Sequence, residues 1–151
     1  MDRESYFETP RPSLTGEPVQ HVDRDPKKQG VGKTVLIVDD NGPIRKMIAA
    51  AFLSDGFETC EEAANGKEGI EVAKQSKPDL ITLDLSMPIM NGIEAASAFR
   101  KLFPKIPMIL FTVYANEHLN PEAFKAGISL VLPKSVPLST LVEKAHELMD
   151  D

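Results

Sequence analysis

The chain has 151 residues, a length typical of one domain, and 42% of them are hydrophobic. Its formal net charge is −6, and the acidic excess lies after residue 34, because residues 1–34 contain six acidic and six basic side chains. Such a surface lacks the clustered Lys and Arg of nucleic-acid binding proteins. No apolar run reaches the length of a membrane helix, and no secretory signal is visible. We therefore expect a cytoplasmic protein with no direct nucleic-acid or membrane contact.

The first 32 residues contain four prolines, mixed charges and few large apolar side chains. A segment of this composition cannot bury enough apolar surface to offset the entropy of ordering it. We expect residues 1–32 to form a flexible tail and residues 33–151 to form the folded domain.

Strand-like and helix-like segments alternate from residue 35 onward, with strands expected to begin near residues 35, 57, 80, 107 and 128. This spacing fits one strand and one helix per repeat, which predicts an α/β fold with five parallel strands and five helices. Segments 35–38, 80–83 and 108–111 are almost wholly apolar, as expected of strands covered by helices on both faces. Segment 57–61 is more mixed, which favours an edge strand.

The predicted helices carry apolar residues at helical spacing. Pro43 is suited to start the first helix, Pro104 follows the third, and Ser139 or Thr140 could cap the fifth. The apolar stripes are Ile44, Ile48, Ala51 and Phe52 in the first helix; Ile93, Ala96, Phe99 and Leu102 in the third; and Leu138, Leu141, Val142, Ala145, Leu148 and Met149 in the fifth.

Polar side chains follow four of the predicted strands directly. They are Asp39, Asp40, Asp84, Thr112 and Lys134. In an open parallel sheet, ligands bind outside the carboxyl ends of the strands, so residues that end different strands converge there. We expect these five side chains to meet at one site.

Three carboxylates at one site would repel each other, since two unit charges about 4 Å apart cost roughly 4 kcal/mol at an effective dielectric near 20. Either a carboxylate takes up a proton or a cation binds. Ligands that are all oxygen favour Mg²⁺, which is commonly completed by waters and phosphate oxygens. Lys134 could hold a phosphoryl oxygen, or pair with Asp84 when none is present. Asp39, Asp40 and Asp84 are thus candidate metal ligands.

The same groups can carry out phosphoryl transfer. With a metal ion and Lys134 neutralising charge, Asp84 can attack phosphorus and become an acyl phosphate. The Thr112 hydroxyl can donate a hydrogen bond to the bound phosphoryl group. No separate base is required, because a carboxylate is already ionised near neutral pH.

Short motifs surround these five residues along the chain. In order, they are Val38-Asp39-Asp40, Ala64-Asn65-Gly66, the segment from Asp84 to Gly92, Thr112, Ala126-Gly127 and Lys134. With these motifs in this order, residues 33–149 resemble the receiver domain of two-component response regulators. The resemblance implies a flavodoxin-like, doubly wound sheet of strand order 2-1-3-4-5. It also implies that Asp84 accepts a phosphoryl group from a phosphohistidine on a sensor histidine kinase or a histidine phosphotransfer protein.

The resemblance also assigns roles within the site. Asp40 would bind Mg²⁺ directly and Asp39 mainly through water, with Asp84 and the backbone carbonyl of Ser86 completing the protein ligands. Thr112 would swing toward the phosphoryl group. The fourth helix, fifth strand and fifth helix would then contact a downstream protein.

The sequence departs from this family at three positions beside the site. Val131 replaces the usual aromatic residue three positions before Lys134, and we expect Tyr114 to take over part of its signalling role. Val113 is larger than the usual Ala or Gly after the threonine, which predicts slow loss of the phosphoryl group. Pro133 precedes the lysine and fits an edge strand, where a missing N–H donor is tolerated.

Two other phosphate-binding classes fit poorly. A nucleotide-binding P-loop at residues 30–34 would need a glycine where Lys27 stands. A phosphatase of the haloacid dehalogenase type would need a second Asp where Ser86 stands.

The biological setting leaves three readings open. The tail and the complete fifth helix favour a stand-alone receiver, because only two residues follow Met149. A receiver piece of a larger regulator is the alternative. A third possibility is a binding module that keeps the fold and is rarely phosphorylated.

Overall fold

The computed structural model describes residues 32–150, in which five parallel strands alternate with five helices. The strands are β1 (Thr34–Val38), β2 (Thr59–Ala63), β3 (Leu80–Leu83), β4 (Met108–Thr112) and β5 (Leu130–Pro133). The helices are α1 (Gly42–Ser54), α2 (Gly66–Ser76), α3 (Gly92–Leu102), α4 (Asn120–Lys125) and α5 (Leu138–Asp150). The strand order β2-β1-β3-β4-β5 confirms the predicted doubly wound, flavodoxin-like sheet. Apart from Gly32, the predicted tail lies outside the described residues.

Both faces of the sheet are buried, because successive side chains of a strand point to opposite sides. In β1, Leu36 and Val38 pack into a core with α2 and α3. Val35 and Ile37 pack into a second core with α1 and α5. Each large aliphatic side chain buried in this way contributes about 1.5 to 3 kcal/mol. The four neighbouring pairs are all parallel, so the carboxyl ends of all five strands lie along one edge.

The starts of β2 and β5 differ from the sequence prediction by two residues each. Phe57 is buried, but the chain bends at Glu58 before β2 begins. Ile128 is also buried, and its N–H donates to the Ala123 carbonyl, so it still belongs to the end of α4. In both cases an apolar residue that enters the core just before a strand looks like part of that strand in the sequence.

Asparagine side chains cap the first three helices. Asn41 accepts from the N–H of Ile44 in α1, and Asn65 caps α2 in the same way. At α3, Asn91 and Glu94 form a reciprocal capping box. Asn41 and Asn91 therefore fix where the chain turns away from the carboxyl edge of the sheet.

One predicted feature of the helices is wrong. Neither Ser139 nor Thr140 caps α5, because the helix already begins at Leu138 and the Pro137 carbonyl accepts from the N–H of Thr140. Leu102, which belongs to the predicted apolar stripe of α3, is 48% exposed. It is the last residue of that helix, where the buried face has already ended. No helix within residues 32–150 is long and apolar enough to cross a bilayer.

Candidate metal and phosphoryl site

Three carboxylates meet at the carboxyl edge of the sheet. Asp39 and Asp40 follow β1, Asp84 follows the neighbouring β3, and one oxygen of each lies within 4.8 Å of the others. Asp39 and Asp84 are buried, whereas Asp40 is exposed. The structure thus brings together the three carboxylates that the sequence placed at strand ends.

Asp39 is held through each of its polar groups. Its N–H donates to the Ala63 carbonyl at 3.0 Å, which extends the pairing of β1 with β2. One carboxylate oxygen accepts from the Asn41 N–H at 2.8 Å, and the other accepts from Lys134 Nζ at 2.6 Å. Its carbonyl accepts from Arg45 Nη1 at 2.6 Å. Asp39 therefore has little freedom to reorient when a ligand binds.

Lys134 lies between two buried carboxylates. Its Nζ is 2.6 Å from Asp39 Oδ2 and 3.6 Å from Asp84 Oδ1. The expected partner was Asp84, but the shorter contact is with Asp39. Asp84 Oδ1 already accepts the Leu85 N–H at 2.9 Å. One lysine therefore offsets part of the charge of two carboxylates.

The pKa of Asp84 is raised above its ordinary value, mainly because burial removes water from the carboxylate. Lys134 opposes the rise, while the negative charge of Asp39 adds to it. Hydrogen bonds from the Leu85 N–H and the Thr112 hydroxyl lower the pKa without cancelling the effect of burial. Lys134 and the hydrogen bonds therefore offset only part of the cost of burying the Asp84 charge, and a further cation would offset more of it.

Thr112 ends β4 and is fully buried beside this cluster. Its carbonyl accepts the Lys134 N–H at 3.0 Å, and its hydroxyl oxygen accepts the Tyr114 N–H at 3.2 Å. Tyr114 and Val113 are 57% and 67% exposed, whereas Val131 packs partly buried against the α2 and α3 side of the sheet. The threonine thus connects the buried site to an exposed loop that carries apolar side chains.

The loop after Asp84 runs close against the backbone of the site. The Gly92 N–H donates to the Leu85 carbonyl at 2.8 Å, and a Cβ on Gly92 would lie 2.3 Å from the Asp84 carbonyl oxygen, so only glycine fits. Ile89 has a left-handed φ of 72° and is 74% exposed. Ser86 is exposed in the same loop, two residues after Asp84.

The cluster suits a divalent cation bound by oxygen. Three carboxylate oxygens converge while Lys134 supplies the neighbouring positive charge, which leaves an excess of negative charge. An all-oxygen donor set without His or Cys fits Mg²⁺ better than Zn²⁺. The residues present therefore fit the ion that the sequence predicted.

Two residues of this neighbourhood were missed in the sequence. Arg45 holds the Asp39 carbonyl, and Glu62 on β2 accepts from Arg45 Nε at 2.9 Å. The predicted second strand stopped at residue 61, so Glu62 was not placed beside the site. The signal available was a basic residue in the first turn of α1 together with an acidic residue at the end of the neighbouring strand.

The sequence of this chain is similar to a known protein family and to several of its members. Residues 35–146 match the response regulator receiver domain model. Chemotaxis protein CheY of Thermotoga maritima is 36% identical over 118 residues, which cover 78% of this chain and 98% of that protein. Regulatory protein PhoB of Pseudomonas aeruginosa is 39% identical over 121 residues, which cover 79% of this chain and 52% of PhoB.

Solved structures of CheY and of a CheY-like protein share the fold of this chain. CheY in the CheX-CheY-BeF3-Mg²⁺ complex from Borrelia burgdorferi matches with a TM-score of 0.77 and 25% identity, covering 81% of this chain and 97% of that one. A CheY-like receiver domain protein from Methanospirillum hungatei matches with a TM-score of 0.74 and 30% identity, over 79% and 94% of the two chains. The chain belongs to the response regulator receiver domain family.

Proposed function

We propose that the chain is a phosphoacceptor in a two-component phosphorelay and receives its phosphoryl group on Asp84. The donor would be a phosphohistidine on a sensor histidine kinase or a histidine phosphotransfer protein. The observation that carries the proposal is the undercompensated, buried Asp84 carboxylate beside Asp39, Asp40 and Lys134. The proposed chemistry is limited to the chain's own phosphorylation and dephosphorylation, and the module acts in signalling.

In this proposal Asp39, Asp40, Asp84 and the Ser86 carbonyl would hold Mg²⁺, Asp40 as a direct ligand and Asp39 mainly through water. Bound Mg²⁺ would neutralise charge between the carboxylates and the phosphoryl oxygens. One Asp84 oxygen attacks phosphorus, the bond from phosphorus to the donor's imidazole nitrogen breaks, and that nitrogen keeps the electron pair.

Lys134 then changes partner. Its Nζ lies 2.6 Å from Asp39 and 3.6 Å from Asp84, so a small movement brings it to an oxygen of the new phosphoryl group. A compact ammonium suits this exchange, because it does not require the fixed fork geometry of arginine. The lysine thereby offsets charge both before and after transfer.

Thr112 would report the change to the surface. Its hydroxyl would turn to donate to the phosphoryl group and give up its present bond with the Tyr114 N–H. Release of that N–H would alter the loop that leads into α4. We infer that α4, β5 and α5 form the surface that binds a downstream protein, with Phe124 of α4 already 49% exposed.

The wider setting has two forms. We propose either that the chain acts alone, in the manner of chemotaxis protein CheY, of which the match covers 98%, or that it is the receiver piece of a longer regulator such as PhoB, of which the match covers 52%. A binding module that is rarely phosphorylated is a further candidate, but the site retains each side chain that the transfer requires. We propose that the chain acts in the cytoplasm.

Beryllofluoride, a phosphoryl mimic, tests the proposal together with Mg²⁺. We expect the two added together to shift the amide resonances of Thr112, Tyr114 and α4 in the parent protein beyond the change that Mg²⁺ causes alone, and beryllofluoride without Mg²⁺ to cause no shift. Asp84→Asn should abolish the response, whereas Asp150→Asn, at the exposed far end of α5, should keep it. An unchanged parent spectrum would refute the phosphorylation switch.

A further inference from the structure

Arg45 connects the metal-ligand turn to the edge strand of the sheet. It lies in the first turn of α1, and its guanidinium donates from Nη1 to the Asp39 carbonyl at 2.6 Å. The same guanidinium donates from Nε to Glu62 Oε1 at 2.9 Å. Its side chain is only 18% exposed. The planar fork of arginine lets one side chain hold both acceptors at fixed directions.

Glu62 keeps the guanidinium in place. Burial alone would raise the pKa of this carboxyl, but hydrogen bonds from Lys46 and Arg45 lower it below its ordinary value, so Glu62 stays charged at neutral pH. Glu62 pairs in register with Ile37 of β1, and the next residue on β2, Ala63, accepts the Asp39 N–H at 3.0 Å. Strand β2 therefore holds the Asp39 N–H directly, through Ala63, and the Asp39 carbonyl indirectly, through Glu62 and Arg45.

The carbonyl that Arg45 holds belongs to the peptide bond that joins Asp39 to Asp40. Because this peptide is planar, fixing its carbonyl oxygen also fixes the direction in which the chain enters Asp40. Asp39 is anchored by Lys134 and Asn41 as well, but Asp40 is exposed. The orientation of the exposed ligand thus depends strongly on the Arg45 contact.

We propose that Arg45 is a positioning residue that favours binding of the divalent cation. Anchored by Glu62, its guanidinium holds the peptide between Asp39 and Asp40 in place. The inference rests on the proposed metal-dependent function. As a charge alone, a guanidinium this close to the site would repel the cation, so removing it would strengthen binding. As a positioning group, Arg45 strengthens cation binding, so its removal would weaken that binding. The two roles predict opposite signs.

Calorimetric titration of the full chain with Mg²⁺, without any phosphodonor, measures that sign. We expect Arg45→Gln to raise the Mg²⁺ dissociation constant about tenfold, the lower end of the range for groups that orient metal ligands. Arg45→Lys should also weaken binding, because one ammonium cannot span the Asp39 carbonyl and Glu62 together. That conservative variant keeps the charge and serves if Arg45→Gln fails to fold.

Lys46→Gln is the matched control. Lys46 lies next in α1 and its Nζ is 3.1 Å from the same Glu62 carboxylate, but its side chain is 71% exposed. Removing this charge should leave Mg²⁺ affinity unchanged or slightly higher. Thermal unfolding without Mg²⁺ should show that the variants are folded at the titration temperature, so a weaker affinity reports the site and not global stability.

The outcomes separate the two proposals. Arg45→Gln binding Mg²⁺ as tightly as Lys46→Gln, or more tightly, would overturn the positioning role while leaving the phosphoacceptor function intact. A parent protein that binds no Mg²⁺ would overturn the proposed metal-dependent function and this inference with it.

Discussion

At the scale of single residues, the site is organised around one cation that serves two buried anions. Lys134 contacts Asp39 closely and Asp84 at a longer distance. Removing one partner of a buried ion pair leaves the other charge uncompensated, which costs more than a surface pair contributes. A bound Mg²⁺ could supply the same compensation, so the lysine and the metal ion act partly as substitutes.

Lys134→Met should therefore lower the free energy of unfolding by about 3 kcal/mol without Mg²⁺, because Asp39 and Asp84 lose their compensating charge. Saturating Mg²⁺ should recover part of that loss and bind more tightly than in the parent. Urea unfolding with and without Mg²⁺ measures both effects. Lys144→Met, which breaks an exposed pair with Glu147, should cost less than about 0.5 kcal/mol. Equal losses in the two variants would contradict this account.

Ile89 holds a left-handed backbone conformation that β-branched residues rarely adopt, and its side chain is 74% exposed. Ile89→Gly should raise the free energy of unfolding by about 0.5 to 1 kcal/mol, since relief of Cβ strain exceeds the added entropy of the unfolded glycine. Ile89→Ala keeps a Cβ and should gain less. Chemical denaturation compares them, and a glycine variant less stable than the parent would disprove the strain.

The ion pair between Glu62 and Arg45 makes the stability of the fold depend on pH in the acid range. Its pKa is lowered on folding, so its contribution is complete above the ordinary glutamate pKa of 4.5 and is lost as the pH falls through the lower folded pKa. Glu62→Gln should be less stable than the parent at pH 7, and the difference should shrink as the pH falls below 4.5 and disappear below the lowered folded pKa of Glu62. Urea unfolding across that range, with Glu71→Gln of an exposed pair as control, measures it. A difference that persists in acid would exclude the linkage.

The five polar residues at strand ends could be predicted because a parallel sheet brings those positions together whatever the side-chain details. The partner preference of Lys134 could not, since it depends on distances of an ångström between two equally charged groups. Arg45 and Glu62 escaped for a related reason. Their contact requires the register of β1 with β2, which an apolar pattern fixes only to within a residue or two.

At the scale of secondary structure, the helices differ in how firmly their ends are fixed. Helix α3 begins with a reciprocal capping box, whereas α4 has six residues and no side-chain cap at Leu119. Short helices without caps gain little from their own hydrogen bonds. We therefore expect α4 to be the helix that responds most to the proposed phosphorylation of the site.

We expect backbone amides of α4 to exchange with solvent at least roughly tenfold faster than those of α3 in the unmodified protein. Mg²⁺ and beryllofluoride together should change the protection of α4 more than that of α3. Hydrogen exchange followed by mass spectrometry or NMR tests both statements. Helix α4 exchanging as slowly as α3, with no response to the mimic, would exclude it as the mobile element.

The sequence predicted which segments are strands and which are helices, but it predicted where they begin and end only in part. The continuous apolar runs predicted β1, β3 and β4 to within one residue, because such runs stop where the strands leave the core. The strands β2 and β5 begin later than predicted, since Phe57 and Ile128 enter the core from a bend and a helix end. The predicted cap of α5 was wrong, because Leu138 already lies in the helix and precedes both residues suited to cap it.

At the scale of the whole molecule, the parallel sheet places the site at its carboxyl edge, and the proposed reporting surface consists of α4, β5 and α5. The usual aromatic reporter is replaced by Val131, which is partly buried, while Tyr114 is already exposed. We therefore expect the Tyr114 loop to carry more of the change than β5 does. Val113 in the same loop remains the predicted cause of slow phosphoryl loss.

The most direct test of the central claim is the site of phosphorylation itself. Intact-mass and peptide analysis after brief incubation with Mg²⁺ and a small-molecule phosphodonor should find one added phosphoryl group, located on Asp84. The gain should require Mg²⁺ and should be absent from Asp84→Asn. A phosphoryl group found on another residue, or an equal gain in Asp84→Asn, would contradict the account.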